Sequence, residues 1–329
     1  MSLALHIGAG RFRDSRIDFK YKALLKNALI EGIRLLKDSR SAEDVASLVV
    51  SILEESPLTN AGKGSNLTAK GFVETDSCIA VCNESEGLVV ASMGAAYGID
   101  SPALAVRQLL NEAREQGKTT ASLTGKEAWE WARKTGLSSA RSETELLTHN
   151  RTQASTDRWL EAFLNQQVPL PKASEDEPNF ISMETDPRTV EDDNKHFSDT
   201  IGCLCIDTNG RIAACTSSGG PLFREEGRVG PAAIFGSGIF VSETLAVCAS
   251  GNGEIICRET LATKGSDYDN LAHCPLPSSP VALLLLRKVE NGNDKGAVEF
   301  RFSSPGFAIA HGDIHHPIVD SLNICILRK

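Results

Sequence analysis

A threonine at the start of an apolar segment is the residue in this sequence best suited to chemistry. Asp199 and Thr200 directly precede residues 201–206, whose composition predicts a β-strand. If the peptide bond between Asp199 and Thr200 breaks, Thr200 becomes an N-terminus that carries both a hydroxyl and a free α-amine. Because an α-amine has a pKa of about 7.7 to 8, it can act as general base for that hydroxyl. The pair suggests a self-cleaving threonine nucleophile; the alternative is a β-branched residue that merely begins a strand.

Four glycine-bearing segments contain groups that could build a site around such a nucleophile. Asn60 lies in a turn whose amides can point inward, and the hydroxyl of Ser218 could hydrogen-bond a nucleophile. Arg228, between two glycines, could present its guanidinium to a carboxylate. Ser250 precedes a possible helix start, where a hydroxyl and N–H groups can face an oxyanion. Each segment alone is more typical of an ordinary structural feature: a turn, a solvated surface arginine or a helix cap. The segments are 59–66, 217–220, 227–230 and 250–254.

The elements that must hold these segments differ on the two sides of an acidic, proline-containing stretch. Residues 168–198 are expected to form a flexible linker, because so polar a sequence cannot bury enough apolar surface to offset its ordering entropy. A mixed α/β half precedes it and a strand-rich half follows, in which Asn209 and Gly210 favour a tight hairpin. The patterns predict helices near 42–55, 101–116 and 254–263 and one after Thr124, which with Glu127 forms a capping-box pattern, and strands near 3–7, 72–80, 88–95, 201–206, 211–216, 234–241, 245–249, 281–289, 297–303 and 306–311.

Composition argues against several functional classes. With Lys+Arg 34 against Asp+Glu 43, the net charge of −9 disfavours binding to nucleic acid or to an anionic membrane. No apolar run approaches the roughly 20 residues of a membrane-spanning helix. The first residues lack the pattern of a secretion signal, and the 9 cysteines include no CxxC pair. These features predict an intracellular protein with reduced thiols.

Other reactive side chains are better explained by structure than by chemistry. His315 and His316, with His311 nearby, are more typical of an exposed turn than of a metal site. Cys203 and Cys205 share one face of a predicted strand and are expected to be buried thiols. The sequence therefore predicts neither a metal nor a cofactor.

The order of the motifs resembles the N-terminal-nucleophile (Ntn) hydrolases of the type-2 asparaginase group. Within that group, the sequence at 56–67, the Asp199–Thr200 junction and Ser217 before Ser218 are most similar to the threonine aspartases (taspases). The resemblance implies an α/β fold, a four-layer αββα sandwich, that cleaves itself into an α piece (1–199) and a β piece (200–329). It also implies that αβ units pair as (αβ)2. The motifs lie at 6–10, 60–64, 199–202, 217–220, 227–230 and 250–254 and so cover nearly all of both halves.

The resemblance also implies a role for each candidate residue. Thr200 would be the nucleophile and its amine the base, while self-cleavage would occur at Asp199. The supporting roles would be Ser218 beside the nucleophile's hydroxyl, Asn60 and Gly10 shaping the nucleophile's side of the pocket, Ser250 and Gly251 in the oxyanion hole, and Arg228 with Gly10 and Gly253 binding the substrate.

Position 231 separates the possible activities. Small-molecule asparaginases and isoaspartyl peptidases of the group carry an aspartate there, which binds the substrate's α-ammonium; this chain has Pro231. Proline offers neither charge nor backbone donor, whereas a protein substrate has no ammonium to satisfy. The favoured hypothesis is an endopeptidase that cuts after aspartate, with Arg228 binding the aspartate side chain. The resemblance then implies transcription regulators as protein partners, in the nucleus and cytoplasm.

Two alternatives to the endopeptidase stay open. One is an asparaginase or isoaspartyl dipeptidase, and the other is an uncleaved, inactive homologue that acts as a binding module. The segment 263–280 is shorter than is usual in the group, which could weaken the floor of the active site.

Overall fold

The computed structural model describes residues 1–10, 15–165, 200–289, 296–314 and 323–328. The predicted linker 168–198, Asp199, His315 and His316 lie outside these residues. The described strands are β1 (Ser2–Gly10), β2 (Thr75–Asn83), β3 (Gly87–Ala96), β4 (Thr120–Thr124), β5 (Ile201–Ile206), β6 (Ile212–Ser218), β7 (Ile239–Val241), β8 (Leu245–Gly251), β9 (Val281–Lys288), β10 (Gly296–Phe302), β11 (Gly306–Asp313) and β12 (Asn323–Arg328). The described α-helices are α1 (Asp18–Lys37), α2 (Ala42–Glu54), α3 (Pro102–Glu115), α4 (Gly125–Lys134), α5 (Glu143–Leu146), α6 (Gln153–Asn165), α7 (Gly253–Glu259) and α8 (Leu261–Ser266).

Local sequence signals explain where two of the predicted helices begin. At the start of α2, the Ser41 side chain accepts a hydrogen bond from the backbone N–H of Asp44. At the start of α3, Ser101 accepts one from Leu104, and Pro102 occupies the first turn. Both serines satisfy N–H groups that have no partner within the helix, so the predicted starts are confirmed.

Three details of the predicted elements are wrong. The helix predicted over 254–263 is two helices, α7 and α8, because Thr260 adopts a left-handed conformation with φ of 44° and ends the first of them. The strand predicted over 234–241 is reduced to β7, since residues 234–238 form a turn in which the N–H groups of Ser237 and Gly238 both donate to the Ile234 carbonyl. Thr124 does stand at the N-cap of α4, but its side chain makes no capping hydrogen bond.

The strands form two sheets that place β5 near the centre of the larger one. The eight-stranded sheet has the order β12-β11-β1-β5-β6-β2-β3-β4, and the four-stranded sheet has the order β10-β9-β8-β7. Strand β5 is antiparallel to both β1 and β6. The segment that begins with Thr200 is thus held by hydrogen bonds on both sides.

Alternating side chains along the strands separate the core into three clusters. In β9, Leu284 faces the eight-stranded sheet, while its neighbours Leu283 and Leu285 face α7 and α8. Since successive side chains of a strand point to opposite faces, the chain forms four layers, α-β-β-α, as predicted. The cluster between α1–α3 and the larger sheet includes Leu3, Leu5, Ile7, Leu25, Leu29, Val45, Val49 and Val106; the cluster between the sheets includes Ala4, Leu204, Ile206, Ile239 and Ala246. None of the helices in the described part of the chain is both long and apolar enough to span a bilayer.

A buried carboxyl group joins α2 to α3. Glu54, the last residue of α2, is 1% exposed. Its Oε2 accepts a 2.5 Å hydrogen bond from the Ser101 hydroxyl, and its Oε1 accepts a 3.1 Å bond from the Ala103 N–H. Burial raises the pKa of Glu54 to about 7, because the charged form loses its hydration.

Replacing Glu54 with glutamine is expected to change how stability depends on pH. The pKa of this carboxyl rises from 4.5 to about 7 on folding, so its contribution is fully present below pH 4.5 and is lost as pH rises through 7. Relative to Glu54→Gln, the wild type should lose about 3 kcal/mol across that window. Thermal denaturation across the window measures the difference, with the exposed Glu115→Gln as control. Parallel wild-type and Glu54→Gln curves would contradict the prediction.

Candidate active site

Strand register brings Thr200 against Ser218. In the β5–β6 pair, Ile201 is opposite Ser217, and the same register continues to Thr200 and Ser218. The Thr200 hydroxyl donates a 3.1 Å hydrogen bond to Ser218 Oγ, which also accepts a 3.1 Å bond from the Gly220 N–H. Thr200 is 7% exposed, and its carbonyl accepts a 3.1 Å bond from Gly8. The hydrogen bond to Ser218, at the end of β6, therefore orients the Thr200 hydroxyl.

The turn 59–66 is locked onto the end of β6. Asn60 Nδ2 donates to the Gly220 carbonyl at 2.8 Å, and the Asn60 carbonyl accepts the Gly219 N–H at 2.8 Å. Asn60 Oδ1 accepts the Asn66 N–H, also at 2.8 Å. A Cβ at position 219 would lie 2.6 Å from Asn60 Oδ1 and from Ser65 Cβ, so this close approach requires glycine. The two predicted motifs form one unit beside Thr200.

Arg228 carries a guanidinium nitrogen without a hydrogen-bond partner among the described residues. Glu254 Oε1 accepts hydrogen bonds from Arg228 Nε at 3.0 Å and from Nη2 at 2.5 Å. Within the described residues, Nη1 of Arg228 is buried and makes no hydrogen bond. Burial alone would raise the pKa of Glu254, but the hydrogen bond and charge of Arg228 outweigh it and lower that pKa. The pair is thus charged, and Nη1 retains its donors for a substrate carboxylate.

A buried ion pair beneath the site was missed by sequence reasoning. Asp76 lies opposite Ser218 in the β2–β6 register and is fully buried. Its Oδ2 accepts a 2.8 Å bond from Arg224 and a 3.0 Å bond from the Gly230 N–H, and its Oδ1 accepts the N–H of Ala95. Arg224 Nη2 in turn donates to the Arg228 carbonyl at 2.5 Å. Arg224 binds the Arg228 carbonyl and Asp76 binds the Gly230 N–H, so the pair holds the backbone that directly follows the Arg228 side chain. In the sequence, only Gly227 and Gly230 mark the place.

Ser250 and Gly251 lie at the end of β8, where the two sheets meet. Ser250 Oγ accepts a 2.7 Å hydrogen bond from the Ala9 N–H of β1. Gly251 has φ of 127°, and a Cβ there would lie 2.3 Å from the Pro280 carbonyl oxygen. The helix that follows is capped by Asn252, whose side chain accepts from the Ile255 N–H, and not by Ser250. The Ser250 hydroxyl keeps its own hydrogen for another acceptor.

A cavity of about 140 Å³ brings most of the predicted site residues together. Ser250 and Gly10 are not among its lining residues, although Ala9, next to Gly10, is hydrogen-bonded to Ser250. Pro231 and Glu254 also line it, and Asp199 lies outside the described residues. The predicted residues that line the cavity are Asn60, Thr200, Ser218, Arg228, Gly251 and Gly253.

The histidines and cysteines considered in the sequence do not add a metal site or a reactive thiol within the described residues. In the part of the chain that the structure describes, no group of three or more His, Cys, Asp or Glu side chains is arranged to bind a metal ion. Cys203 and Cys205 are free and buried, as predicted, and burial raises the pKa of both thiols well above its usual value. These thiols are therefore protonated and poorly reactive.

Comparison with known proteins identifies relatives along nearly the whole chain. The sequence profile of the family described as Asparaginase matches residues 1–266. A Dictyostelium discoideum protein, provisionally named isoaspartyl peptidase/L-asparaginase, is 29% identical over 99% of this chain and 98% of its own length. An Arabidopsis thaliana protein with a similar provisional name is 30% identical over 79% of this chain and 78% of its own. The isoaspartyl peptidase/L-asparaginase of Xenopus laevis is 27% identical over 79% of this chain and 73% of its own.

Proposed function

Because this chain belongs to the asparaginase family of Ntn hydrolases, we propose that it is a self-processing threonine hydrolase of amide bonds whose acyl part is an aspartyl residue. The observation that supports this most directly is the placement of the Thr200 hydroxyl, bonded to Ser218, in one cavity with Arg228. A nucleophile and a carboxylate-binding guanidinium in one small cavity match a substrate with a carboxylate near the bond to be cleaved.

Self-processing would generate the catalytic base. Thr200 Oγ attacks the carbonyl carbon of Asp199, and the C–N bond between these residues breaks as the nitrogen takes up a proton. The product is an ester between Asp199 and Thr200 Oγ, and water hydrolyses it to leave a free carboxylate and the free amine of Thr200. That amine then accepts the hydroxyl proton when Thr200 attacks a substrate.

The same residues would carry substrate hydrolysis. Attack on the aspartyl carbonyl would form a tetrahedral oxyanion. Ser250, whose Oγ accepts the Ala9 N–H, would donate its hydroxyl hydrogen to this oxyanion together with the Gly251 N–H. The protonated amine of Thr200 returns its proton to the leaving nitrogen. Water then attacks the acyl-enzyme ester and releases the product that carries the aspartyl carboxylate. The amine of Thr200 thus transfers the proton in both acylation and deacylation.

The two fragments would remain associated after cleavage. Strand β1 from the α piece (1–199) lies between β5 and β11 of the β piece (200–329), with hydrogen bonds to both. We propose that this αβ unit pairs as (αβ)2. Size-exclusion chromatography with light scattering measures the mass of the assembly.

Asparagine and isoaspartyl peptides are the first candidate substrates, and the names of the relatives support them. A free substrate of this kind has an α-ammonium group, which Pro231 cannot bind. Glu254 is a candidate acceptor: its Oε1 binds Arg228, and its carboxylate lines the cavity. A substrate α-carboxylate at Arg228 Nη1 and its ammonium at Glu254 would satisfy both charges.

A main-chain bond after aspartate, as in the threonine aspartases, is the second candidate. Two observations favour it: Pro231 lines the cavity, and the bond proposed for self-cleavage itself follows an aspartate. A chain blocked on the amino side of the aspartate has no ammonium to satisfy, so Pro231 costs it nothing.

A substrate panel tests the proposal and separates the two candidates. Processed protein would be assayed with asparagine, a β-aspartyl dipeptide and a blocked peptide with an internal aspartate. Release of ammonia or of free aspartate from the first two supports the first candidate, and cleavage after the internal aspartate supports the second. Hydrolysis of none of them by fully processed protein would refute the proposed function.

Replacing Pro231 with aspartate is expected to shift specificity towards substrates with a free ammonium. The new carboxylate would add a charge-assisted interaction, which should raise kcat/KM for asparagine or the β-aspartyl dipeptide roughly 10- to 100-fold. The blocked peptide should gain nothing, and Pro231→Ala serves as the control without charge. Equal changes for Pro231→Asp and Pro231→Ala would show that position 231 does not discriminate between these substrates.

A further inference from the structure

A second cavity, of about 320 Å³, has a wall of aromatic side chains. Phe72, Tyr97 and Trp129 line it, and the rings of Tyr97 and Trp129 lie 6.3 Å apart with an interplanar angle of 40°. The indole N–H of Trp129 donates to the Ala140 carbonyl at 3.2 Å, so its one polar group is already satisfied. We call this cavity the aromatic pocket.

The wall of the aromatic pocket depends on a glycine. Gly98 has φ of 68°, and a Cβ there would lie 2.3 Å from Leu146 Cδ2 and 2.7 Å from Trp129 Cδ1. Leu146 belongs to α5 and lines the pocket. The absence of a side chain at Gly98 therefore lets α4 and α5 approach closely enough to form one continuous apolar wall.

A nearly buried carboxylate in the same wall has an oxygen available to a ligand. Glu74 is 5% exposed. Its Oε2 accepts a 3.0 Å hydrogen bond from the Gly227 N–H and lies 3.5 Å from Arg224, whereas no described residue is hydrogen-bonded to its Oε1. Burial raises the pKa of Glu74, since the carboxylate is short of polar partners. A cation at Oε1 would supply the missing interaction.

Two further carboxylates make the pocket electronegative. Glu143 and Glu226 line it, and the ammonium groups nearest to them are Lys126 at 3.7 Å and Lys70 at 3.8 Å. Both lysines are more than half exposed, so these ion pairs are weak. Burial and the negative charges of Glu74, Glu127 and Glu143 raise the pKa of Tyr97. The shift is consistent with a negative electrostatic potential at the pocket wall.

Aromatic faces and carboxylates together match a cation on an apolar stem. Aromatic rings attract ammonium and guanidinium groups, and Arg133 already places its guanidinium carbon 5.0 Å from the centre of the Trp129 ring. Phe72 and Leu146 offer apolar surface to an alkyl chain. The pocket is at the small end of ligand sites, which suits a single side chain.

The aromatic pocket and the active site share one segment of backbone. Gly227 donates its N–H to Glu74, and Gly230 donates its N–H to Asp76. Glu74 and Asp76 are two residues apart along one edge of the site, a separation of about 7 Å in extended chain. Asp76 lines the active-site cavity and Glu74 lines the aromatic pocket, so a short extended segment of a bound peptide would connect the two.

We propose that the aromatic pocket binds the lysine or arginine side chain of a peptide whose aspartyl residue lies at Thr200. The alkyl stem packs against Phe72 and Leu146, and the cationic end lies between Tyr97 and Glu74. This inference rests on the proposed function for the aspartyl residue, while cation binding at Glu74 does not depend on catalysis. The pocket thereby selects substrates with a basic residue within a few positions of the aspartyl group.

A binding measurement tests the pocket without turnover. Wild-type protein would be titrated calorimetrically, at low ionic strength, with Nα-acetyl-lysine methylamide and with its neutral analogue Nα-acetyl-norleucine methylamide. The lysine probe is expected to bind at least about tenfold more tightly, because only it carries the cation. Equal affinity of the two probes would overturn the proposal.

Charge-removing variants locate the binding. Glu74→Gln is expected to weaken binding of the lysine probe about tenfold, and Glu143→Gln about threefold. Glu143 is exposed, so its replacement does not threaten folding if Glu74→Gln proves unstable. The matched control is Glu225→Gln, which removes the same charge from an exposed position that does not line the pocket. If both Glu74→Gln and Glu143→Gln bind the lysine probe with wild-type affinity, the probe does not bind in the aromatic pocket and the proposal is wrong.

A hydrolysis measurement connects the pocket to the reaction. Two aspartyl peptides that differ only by lysine or norleucine near the aspartyl residue would be compared, and kcat/KM should favour lysine about tenfold in the wild type but not in Glu74→Gln. If neither peptide is cleaved while the lysine probe still binds through Glu74, the proposed function fails and cation binding stands. If both are cleaved equally, the pocket has no role in selecting substrates.

Discussion

The Thr200→Ala protein is expected to remain a single chain of 329 residues and to lose hydrolytic activity by at least about a thousandfold. The substitution removes the hydroxyl that would attack the Asp199 carbonyl, so no amine is released to serve as base. Intact mass measured over several days of incubation, followed by assay of each protein with the substrate panel, gives both results.

Two further variants make this test specific. Thr200→Ser keeps a hydroxyl in the same position and should still process, whereas Thr208→Ala changes an exposed threonine in the adjacent turn and should behave as wild type. Two fragments from Thr200→Ala would exclude Thr200 as the processing nucleophile. A single stable chain in the wild type as well would favour the inactive binding module.

Loss of the Asp76 charge is expected to give the largest fall in stability. Asp76 and Arg224 are both fully buried, and their 2.8 Å ion pair is supplemented by two backbone N–H groups on the carboxylate. Asp76→Asn keeps the shape but leaves Glu74, at 3.5 Å, as the one counter-charge of the Arg224 guanidinium among the described residues. Breaking a buried pair in this way costs about 3–5 kcal/mol, because the remaining charge has lost its hydration and its close counter-charge.

Thermal denaturation measures this loss, with the exposed Asp269→Asn as the control for removal of a carboxylate. Activity should fall as well, since Arg224 and Asp76 bind the Arg228 carbonyl and the Gly230 N–H and so position Arg228. The double variant Asp76→Asn/Arg224→Met should be more stable than Asp76→Asn alone, because it also removes the stranded cation. An unchanged midpoint for Asp76→Asn would contradict the importance of the pair.

Local patterns were sufficient to predict most of the elements that hold the site. Ser41 and Ser101 mark the starts of two helices because a cap acts on N–H groups within the same turn. The Asn209–Gly210 turn predicts the hairpin that places β6 beside β5 for the same reason. The break at Thr260 had no such signal: threonine rarely adopts a left-handed conformation, and packing of α7 and α8 on the sheet imposes it here.

The sequence alone was sufficient to predict Thr200 as the candidate nucleophile and the glycine-bearing segments around it, since each motif consists of residues close together along the chain, and the order of the motifs implied the layered α/β fold by resemblance. Only the tertiary structure decided which distant groups complete the site. Asp76 meets Ser218 because of strand register, and Arg224 meets Asp76 across 148 positions of sequence. Arg224 also lies 3.5 Å from Glu74, which lines the aromatic pocket. A buried charge needs a partner wherever the fold brings one, and no local pattern specifies that partner.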